Sequence, residues 1–324
     1  MSKALVYITQ EIPELALTIL EDDFEIKVNN KERKLTKSEL IKEAKNADAL
    51  LTLLSDQIDA EVMDKLPNLE VIANYAVGYN NIDVEAATER KIVVTNTPDV
   101  LTETTADLTW GLLLAVARRI VETDKYIRNG KFQGWSPKLL LGREVNHKTL
   151  GIIGLGRIGK AVARRAYGFN MKVIYNKRNP LSSEVENKLN VKYRDFQQLL
   201  RESDYIAINA PLNDSTYHLF SKKEFSLMKD KGILVNTGRG PIINEKELVK
   251  ALKTREIGGA GLDVYENEPQ VEEGLIELDN VVLTPHIGSA TYQARNKMAE
   301  LAAKGVIAGY KRINVDNIIN KAVL

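Results

Sequence analysis

Few groups in this chain can move a proton near neutral pH. There are three histidines, His147, His218 and His286, and no cysteine. Histidine ordinarily titrates between pH 5 and 8, so it is the first candidate to exchange a proton with a reacting oxygen. His147 stands in a polar Asn-His-Lys turn and His218 in Thr-Tyr-His-Leu; both read as surface or packing residues. His286 differs. It lies in Thr284-Pro285-His286-Ile287-Gly288, directly after the apolar run Val281–Leu283. Taken alone, a histidine after proline is more often structural. Two neighbours shift that balance. Asn236-Thr237-Gly238-Arg239-Gly240 also follows an apolar run, Ile233–Val235, and Arg239 between glycines could fork onto a carboxylate with two parallel hydrogen bonds. Glu268, in Tyr265-Glu266-Asn267-Glu268-Pro269, follows a strand ending at Asp263 and could orient His286 and favour its charged form. Singly, Arg239 would read as a solvent-facing loop charge and Glu268 as an ordinary loop acid.

A second pattern suits phosphate. Leu150–Ile153 reads as a buried strand, and Gly154, Gly156 and Gly159 follow it at G-x-G-x-x-G spacing before an amphipathic helix from Lys160 to Tyr167. The first glycine permits the tight turn, the second lets backbone approach a pyrophosphate, and the third lets helix pack on strand. The helix N-terminus then offers unpaired N–H groups to the phosphates. Strand before and helix after make this a dinucleotide-binding reading rather than a chance glycine triplet.

The elements that must hold these residues alternate. Strands are expected at Ala4–Ile8, Phe24–Val28, Ala49–Leu53, Leu69–Ala73 and Ile92–Thr95, with helices at Pro13–Leu20, Thr36 to about Lys45, Ala60–Lys65 and Val84–Arg90. Thr36-x-x-Glu39 reads as a capping box, and polar Asn29–Lys34 as a surface loop. Leu101–Ile120 reads as one long helix crossing between two units, and Val121–Arg143 as a loop-rich insertion. That insertion is either a surface excursion with a buried Trp135 or an interface. A second series follows from Lys148, with strands Leu150–Ile153, Lys172–Tyr175, Tyr205–Asn209, Gly232–Asn236, Gly259–Asp263 and Val281–Leu283, and a last helix over Tyr292–Gly309. Alternation at this spacing predicts an α/β fold of two Rossmann-like, doubly wound parallel sheets.

Composition excludes several classes. The 324 residues are 44% hydrophobic and 27% charged with a net charge of +1, and no basic block points to nucleic acid or an anionic membrane. The longest apolar run, Trp110–Ala117, is too short to span a bilayer, and no metal-ligand spacing is seen. The start, MSKALVYITQ, reads as a strand rather than a signal peptide, so a cytoplasmic address is the default.

Several stretches together carry a family resemblance. They are Ala76-Val77-Gly78-Tyr79-Asn80-Asn81-Ile82-Asp83, Thr95-Asn96-Thr97-Pro98, Thr105-Ala106-Asp107, Gly151–Gly159, Asn209-Ala210-Pro211-Leu212, Asn236–Gly240, Gly261–Pro269 and Thr284–Gly288. The chain resembles the D-isomer-specific 2-hydroxyacid dehydrogenases, and most their glyoxylate/hydroxypyruvate reductase branch. The resemblance implies a flavodoxin-like substrate domain of residues 1–99 and 289–324 with an NAD(P)-binding domain, residues 100–288, inserted in it. It also implies a homodimer gripped by an arm of residues 121–143. By matching position, Arg239 would bind the substrate carboxylate, His286 would exchange the proton with the keto oxygen, and Glu268 would hold the imidazole. The N–H groups of Val77 and Gly78 would complete the carboxylate cradle, and Trp135 would reach the neighbouring subunit's pocket. Asp263 would bind the nicotinamide amide and Thr105 would lie near its ring. Arg157 and Ile158 would meet the pyrophosphate, and Pro211 would line the adenine side. Thr237 and Gly288 join the cofactor set. Thr237-Gly238 and Asn244 depart from the family's commoner residues without removing a catalytic group.

The second strand of the nucleotide unit bears on cofactor choice. NAD-specific sites place an acid at its end for the ribose 2′-hydroxyl. Here the strand ends in Asn176-Lys177-Arg178, two cations and no acid, which suits a 2′-phosphate. The expectation is NADP(H) preferred over NAD(H), acting on a small 2-keto or 2-hydroxy acid. The alternatives are a D-lactate or D-3-phosphoglycerate dehydrogenase and, in a different class, a non-catalytic NAD(H)-sensing corepressor.

Overall fold

The structure, a computed structural model, describes residues 3–31 and 33–324. Residues 1, 2 and 32 lie outside it, and with them part of the expected first domain and of the Asn29–Lys34 loop. The chain divides into two compact units, Met1–Leu101 with Ser289–Leu324, and Thr102–Gly288.

The first unit opens with β1 (Ala4–Ile8), α1 (Leu15–Leu20), β2 (Phe24–Val28), α2 (Lys37–Glu43), β3 (Ala49–Thr52), α3 (Ala60–Asp64), β4 (Val71–Asn74), α4 (Val84–Glu89) and β5 (Val93–Thr95). The strands pair in parallel in the order β2-β1-β3-β4-β5. That is the doubly wound order of flavodoxin-like sheets, whose strands must be apolar on both faces. β3 and β4 are buried throughout, as such a sheet requires. The capping box at Thr36 forms, its hydroxyl accepting from the Glu39 N–H while the Glu39 carboxylate accepts from Thr36.

The second unit runs α5 (Thr102–Ala117), α6 (Ile120–Arg128), β6 (Thr149–Ile153), α7 (Arg157–Ala166), β7 (Lys172–Asn176), α8 (Ser183–Lys188), β8 (Val191–Tyr193), α9 (Phe196–Glu202), β9 (Tyr205–Ile208), α10 (Lys222–Leu227), β10 (Ile233–Asn236), α11 (Glu245–Lys253), β11 (Gly259–Leu262), α12 (Glu273–Ile276) and β12 (Val281–Leu283). Its seven parallel strands lie in the order β12-β11-β10-β9-β6-β7-β8. Connections reverse direction between β6 and β9, and ligands of such sheets bind outside the strand ends at that switch point. Helix α5 packs on α7, where Trp110 stacks on Phe169 at 4.8 Å and donates from Nε1 to Val162 O at 3.1 Å. It belongs wholly to this unit rather than crossing between units.

The chain returns to the first unit as α13 (Tyr292–Tyr310). Met298, Ala299, Ala302, Ala303 and Val306 close the sheet face made by Val6, Ile8, Leu51, Val71 and Ala73. Gly309 allows the approach: a Cβ there would lie 2.8 Å from Val71 Cγ1.

Three expectations need correction. The run Leu101–Ile120 is not one helix: Arg119 adopts a left-handed backbone (φ +56), so the chain turns and restarts as α6. The expected insertion is accordingly helical in its first third. Trp135 is 85% exposed, which removes the buried-tryptophan alternative for the insertion. Short α8, β8 and α12 had too few apolar residues to declare themselves.

Candidate active site

The glycine turn between β6 and α7 explains each of its glycines. Gly154 has φ +88, and a Cβ on it would lie 2.7 Å from the backbone nitrogen of Ala210. Gly159 abuts the carbonyl of Gly154, so a side chain there would part α7 from the turn. Gly156 is the N-cap of α7, and a Cβ there would meet nothing within 4 Å, leaving room for a phosphate beside the helix N-terminus. Beside this turn, at the end of β9, Asn209 Oδ1 is buried without a hydrogen-bond partner among the described residues. A glycine N-cap with no side chain of its own and a buried amide acceptor at a strand switch point fit a dinucleotide.

The other proposed cofactor residues are placed by different means. Arg157 opens α7, and Ile158 packs against the core beneath it. Asn176 is engaged by its own fold, donating from Nδ2 to Arg194 O at 2.9 Å. Lys177 is half-buried and Arg178 exposed in the following bend. Pro211 is exposed and accepts from Thr216 at its carbonyl. Thr237 shares a 2.8 Å hydroxyl bond with Thr109, which ties the end of β10 to α5.

Arg239, Glu268 and His286 leave three adjacent strands, β10, β11 and β12, at their carboxyl ends. Glu268 Oε2 lies 2.9 Å from His286 Nδ1, and Glu268 Oε1 accepts from the Tyr265 N–H at 3.0 Å. Burial alone would raise the Glu268 carboxyl, but His286, the Tyr265 N–H and Arg239 together hold it below its ordinary value. It is thus a carboxylate, and Nδ1 must carry the proton of that bond. Burial lowers the Arg239 guanidinium while Glu268 opposes the shift, and Nη1 donates to Gly238 O at 2.8 Å. Gly240 lies flat against the Tyr265–Glu266 backbone with no space for a Cβ, which locks the Arg239 and Glu268 loops back to back.

His286 itself has a left-handed backbone (φ +54), a costly conformation for a residue other than glycine. Asp263 accounts for it. One carboxylate oxygen accepts from Thr284 Oγ1 at 2.6 Å and the Ile287 N–H at 2.8 Å, and the other from the Gly288 N–H at 2.8 Å. Burial raises this carboxyl, and those donors offset part of the rise. Thr105 donates to Gly288 O at 3.0 Å, closing the loop from the α5 side.

A further network was not anticipated. His218 Nε2 lies 2.7 Å from Glu266 Oε1, the Glu266 N–H donates to Glu245 at 2.9 Å, and the Glu245 N–H donates back to Glu266. Glu245 is buried and pushed up to about 7, first by that burial, then by Glu266, Glu272 and Glu268 against a hydrogen bond from the Glu266 N–H. The pairing of His218 and Glu266 across 48 residues leaves no mark in local sequence. Of the remaining proposed residues, Val77 and Gly78 follow β4 in the first unit, and Trp135 lies on the exposed stretch after α6.

Fold and glycine turn define a dinucleotide-dependent enzyme of the Rossmann type. Comparison with known proteins takes this further. The profile of the D-isomer specific 2-hydroxyacid dehydrogenase, NAD binding domain, matches residues 110–288. Over 327 aligned residues the chain is 50% identical to the glyoxylate reductase of Pyrococcus horikoshii, covering 99% of this chain and 97% of that protein. A structure from Thermus thermophilus superposes with a TM-score of 0.92 at 43% identity, covering 97% of this chain and 99% of that one. The NADPH-dependent glyoxylate/hydroxypyruvate reductase of Sinorhizobium meliloti, solved with NADP and malonate, gives 0.89 at 32% identity, covering 100% and 98%. The chain belongs to the D-isomer specific 2-hydroxyacid dehydrogenases and is an NAD(P)-dependent oxidoreductase.

Proposed function

We propose that this enzyme reduces glyoxylate, or a 2-keto acid nearly as small such as hydroxypyruvate, to the 2-hydroxy acid, with NADPH as its preferred reductant. The observation that carries the reading is the 2.9 Å pairing of Glu268 with His286 Nδ1. It commits one ring nitrogen to the carboxylate, leaving Nε2 to hold and release the proton. When bound, the reduced nicotinamide supplies a hydride to the keto carbon. His286 Nε2–H then gives its proton to the keto oxygen, so the C=O gains two electrons and two hydrogens and becomes CH–OH. Glu268 stabilises the imidazolium before the transfer and keeps the ring oriented after it. Arg239 takes the substrate carboxylate through its planar fork, with the N–H groups of Val77 and Gly78 as further donors. In the oxidative direction His286 accepts the proton.

The NADPH preference rests on Lys177 and Arg178. Neither has an ion-pair partner among the described residues, and no acid occupies the end of β7. Names support both parts: the Pyrococcus relative is a glyoxylate reductase and the Sinorhizobium structure an NADPH-dependent one. A homodimer gripped by the stretch after α6 belongs to the same proposal, because Phe132, Trp135 and Leu141 are all more than half exposed there. The decisive experiment mixes pure protein, glyoxylate and NADPH or NADH, and follows loss of the reduced cofactor's absorbance. Turnover with a higher kcat/KM for NADPH is expected. Cofactor binding without turnover on any small 2-keto acid would favour a sensor instead, and a clear NADH preference would remove the cofactor assignment.

A further inference from the structure

The loop after β4 has an unusual hydrogen-bond balance. Three consecutive carbonyls are taken. Ala76 O accepts from the Thr97 N–H at 2.9 Å. Val77 O accepts from Asn96 Nδ2 at 2.8 Å, and Gly78 O from Asn74 Nδ2 at 2.8 Å. The N–H groups that follow them in the chain, of Val77, Gly78 and Tyr79, donate to nothing among the described residues. In a trans peptide the C=O of one residue and the N–H of the next point in opposite directions. Fixing these carbonyls toward the Thr97 N–H and the two asparagine amides therefore aims each following N–H the other way.

The two asparagines are themselves held. Asn74 is fully buried; its Oδ1 accepts from Thr52 Oγ1 at 3.2 Å, and its amide also reaches Asn81 Oδ1 at 3.2 Å. Asn96 exchanges backbone and side-chain bonds with Asn317, whose Nδ2 donates to Asn96 O at 2.9 Å. Neither amide can swing without breaking a buried bond. A run of three N–H groups fixed outward, with no partner in the fold, is an anion cradle.

We propose that Asn74 and Asn96 are positioning residues that aim the N–H groups of Tyr79 and Gly78 at the carboxylate of the 2-keto acid, and that Tyr79 N–H is a third donor beside those of Val77 and Gly78. This rests on the reading that a 2-keto acid carboxylate is the ligand of this loop. A carboxylate has about four lone-pair directions, enough for all three amides. Neither asparagine touches the substrate; each acts by holding a peptide plane.

The test separates this inference from the reading beneath it. Asn74→Leu keeps the number and branching of the side-chain heavy atoms and removes the amide. It is expected to raise KM for glyoxylate and Ki for oxalate, a non-reacting dicarboxylate, at least tenfold. kcat should fall less than fivefold and KM for NADPH change less than twofold. Unchanged glyoxylate KM and oxalate Ki, or a parallel rise in both substrates' KM, overturns the proposal. Arg239→Gln is the control: if it weakens glyoxylate while Asn74→Leu does not, the reading stands and only this inference fails. If the wild-type enzyme turns over no 2-keto acid, both fail. Should Asn74→Leu not fold, the wild type still decides. Oxalate titrated into ¹⁵N-labelled enzyme with NADP should shift the amide signals of Val77, Gly78 and Tyr79; a still Tyr79 signal removes it as a donor.

Discussion

His286 pairs with an acid eighteen residues earlier, on a backbone that histidine adopts at a cost. Its place after a strand is legible in sequence, because the apolar run Val281–Leu283 precedes it. The pairing with Glu268 is only hinted at, since no periodicity links a loop after β11 to a loop after β12; that both follow strands, and the family resemblance, are what suggest it. The three bonds at Asp263 that hold the histidine loop are equally silent. His286→Asn should lower kcat by roughly 10²- to 10⁴-fold while leaving NADPH affinity within twofold, as steady-state kinetics and cofactor titration would show. Glu245 offers a separate test. Its folded value of about 7 lies above the ordinary 4.5, so the folded state holds the proton more tightly than the unfolded chain. The resulting stabilisation is complete below about pH 4.5 and is lost as pH rises through about 7. Glu245→Gln keeps an acceptor for the Glu266 N–H and removes the titration. It should melt close to wild type at pH 5 and several degrees higher at pH 8, a gain on the order of 2–3 kcal/mol. Equal melting temperatures at pH 8 would contradict it.

At the scale of elements, sequence spoke well where a strand is buried on both faces and poorly where an element is short. Strands β3, β4, β9 and β10 are apolar runs buried throughout, and strand–helix alternation leads from them to doubly wound sheets, whereas alternating β2 and short β8 carry a weaker signal. The break at Arg119 is illegible because apolar residues continue through it and a left-handed arginine has no sequence signature. Helix α7 can be tested at Gly159. Gly159→Ala would push its methyl against the Gly154 carbonyl, costing about 1–3 kcal/mol of stability and displacing the turn. Denaturation midpoints should fall and the dissociation constant for NADPH rise at least tenfold. The end of β7 gives the complementary prediction. Lys177→Ser with Arg178→Ser should raise KM for NADPH tenfold or more and leave KM for NADH within twofold, because only the 2′-phosphate loses charge-assisted bonds. An equal effect on both cofactors would mean a general loss of the turn.

For the whole molecule, the proposed self-association is testable on the stretch after α6, where Phe132, Trp135 and Leu141 are each more than half exposed. Trp135→Ala with Phe132→Ala should shift sedimentation-equilibrium mass toward the monomer if the exposed stretch after α6 holds two copies together. An unchanged mass would place the contact elsewhere.

The return of α13 has a consequence for how the protein is born. During synthesis β1 to β5 leave the ribosome first, yet the helix that covers Leu51, Val71 and Ala73 is translated only after residues 102–288. The nascent amino-terminal segment must wait, one oily face uncovered, while the intervening unit is made and closes around its own core. A fragment of residues 102–288 should therefore be soluble and cooperatively melting when expressed alone, whereas residues 1–101 alone should aggregate and be rescued by co-expressing residues 289–324.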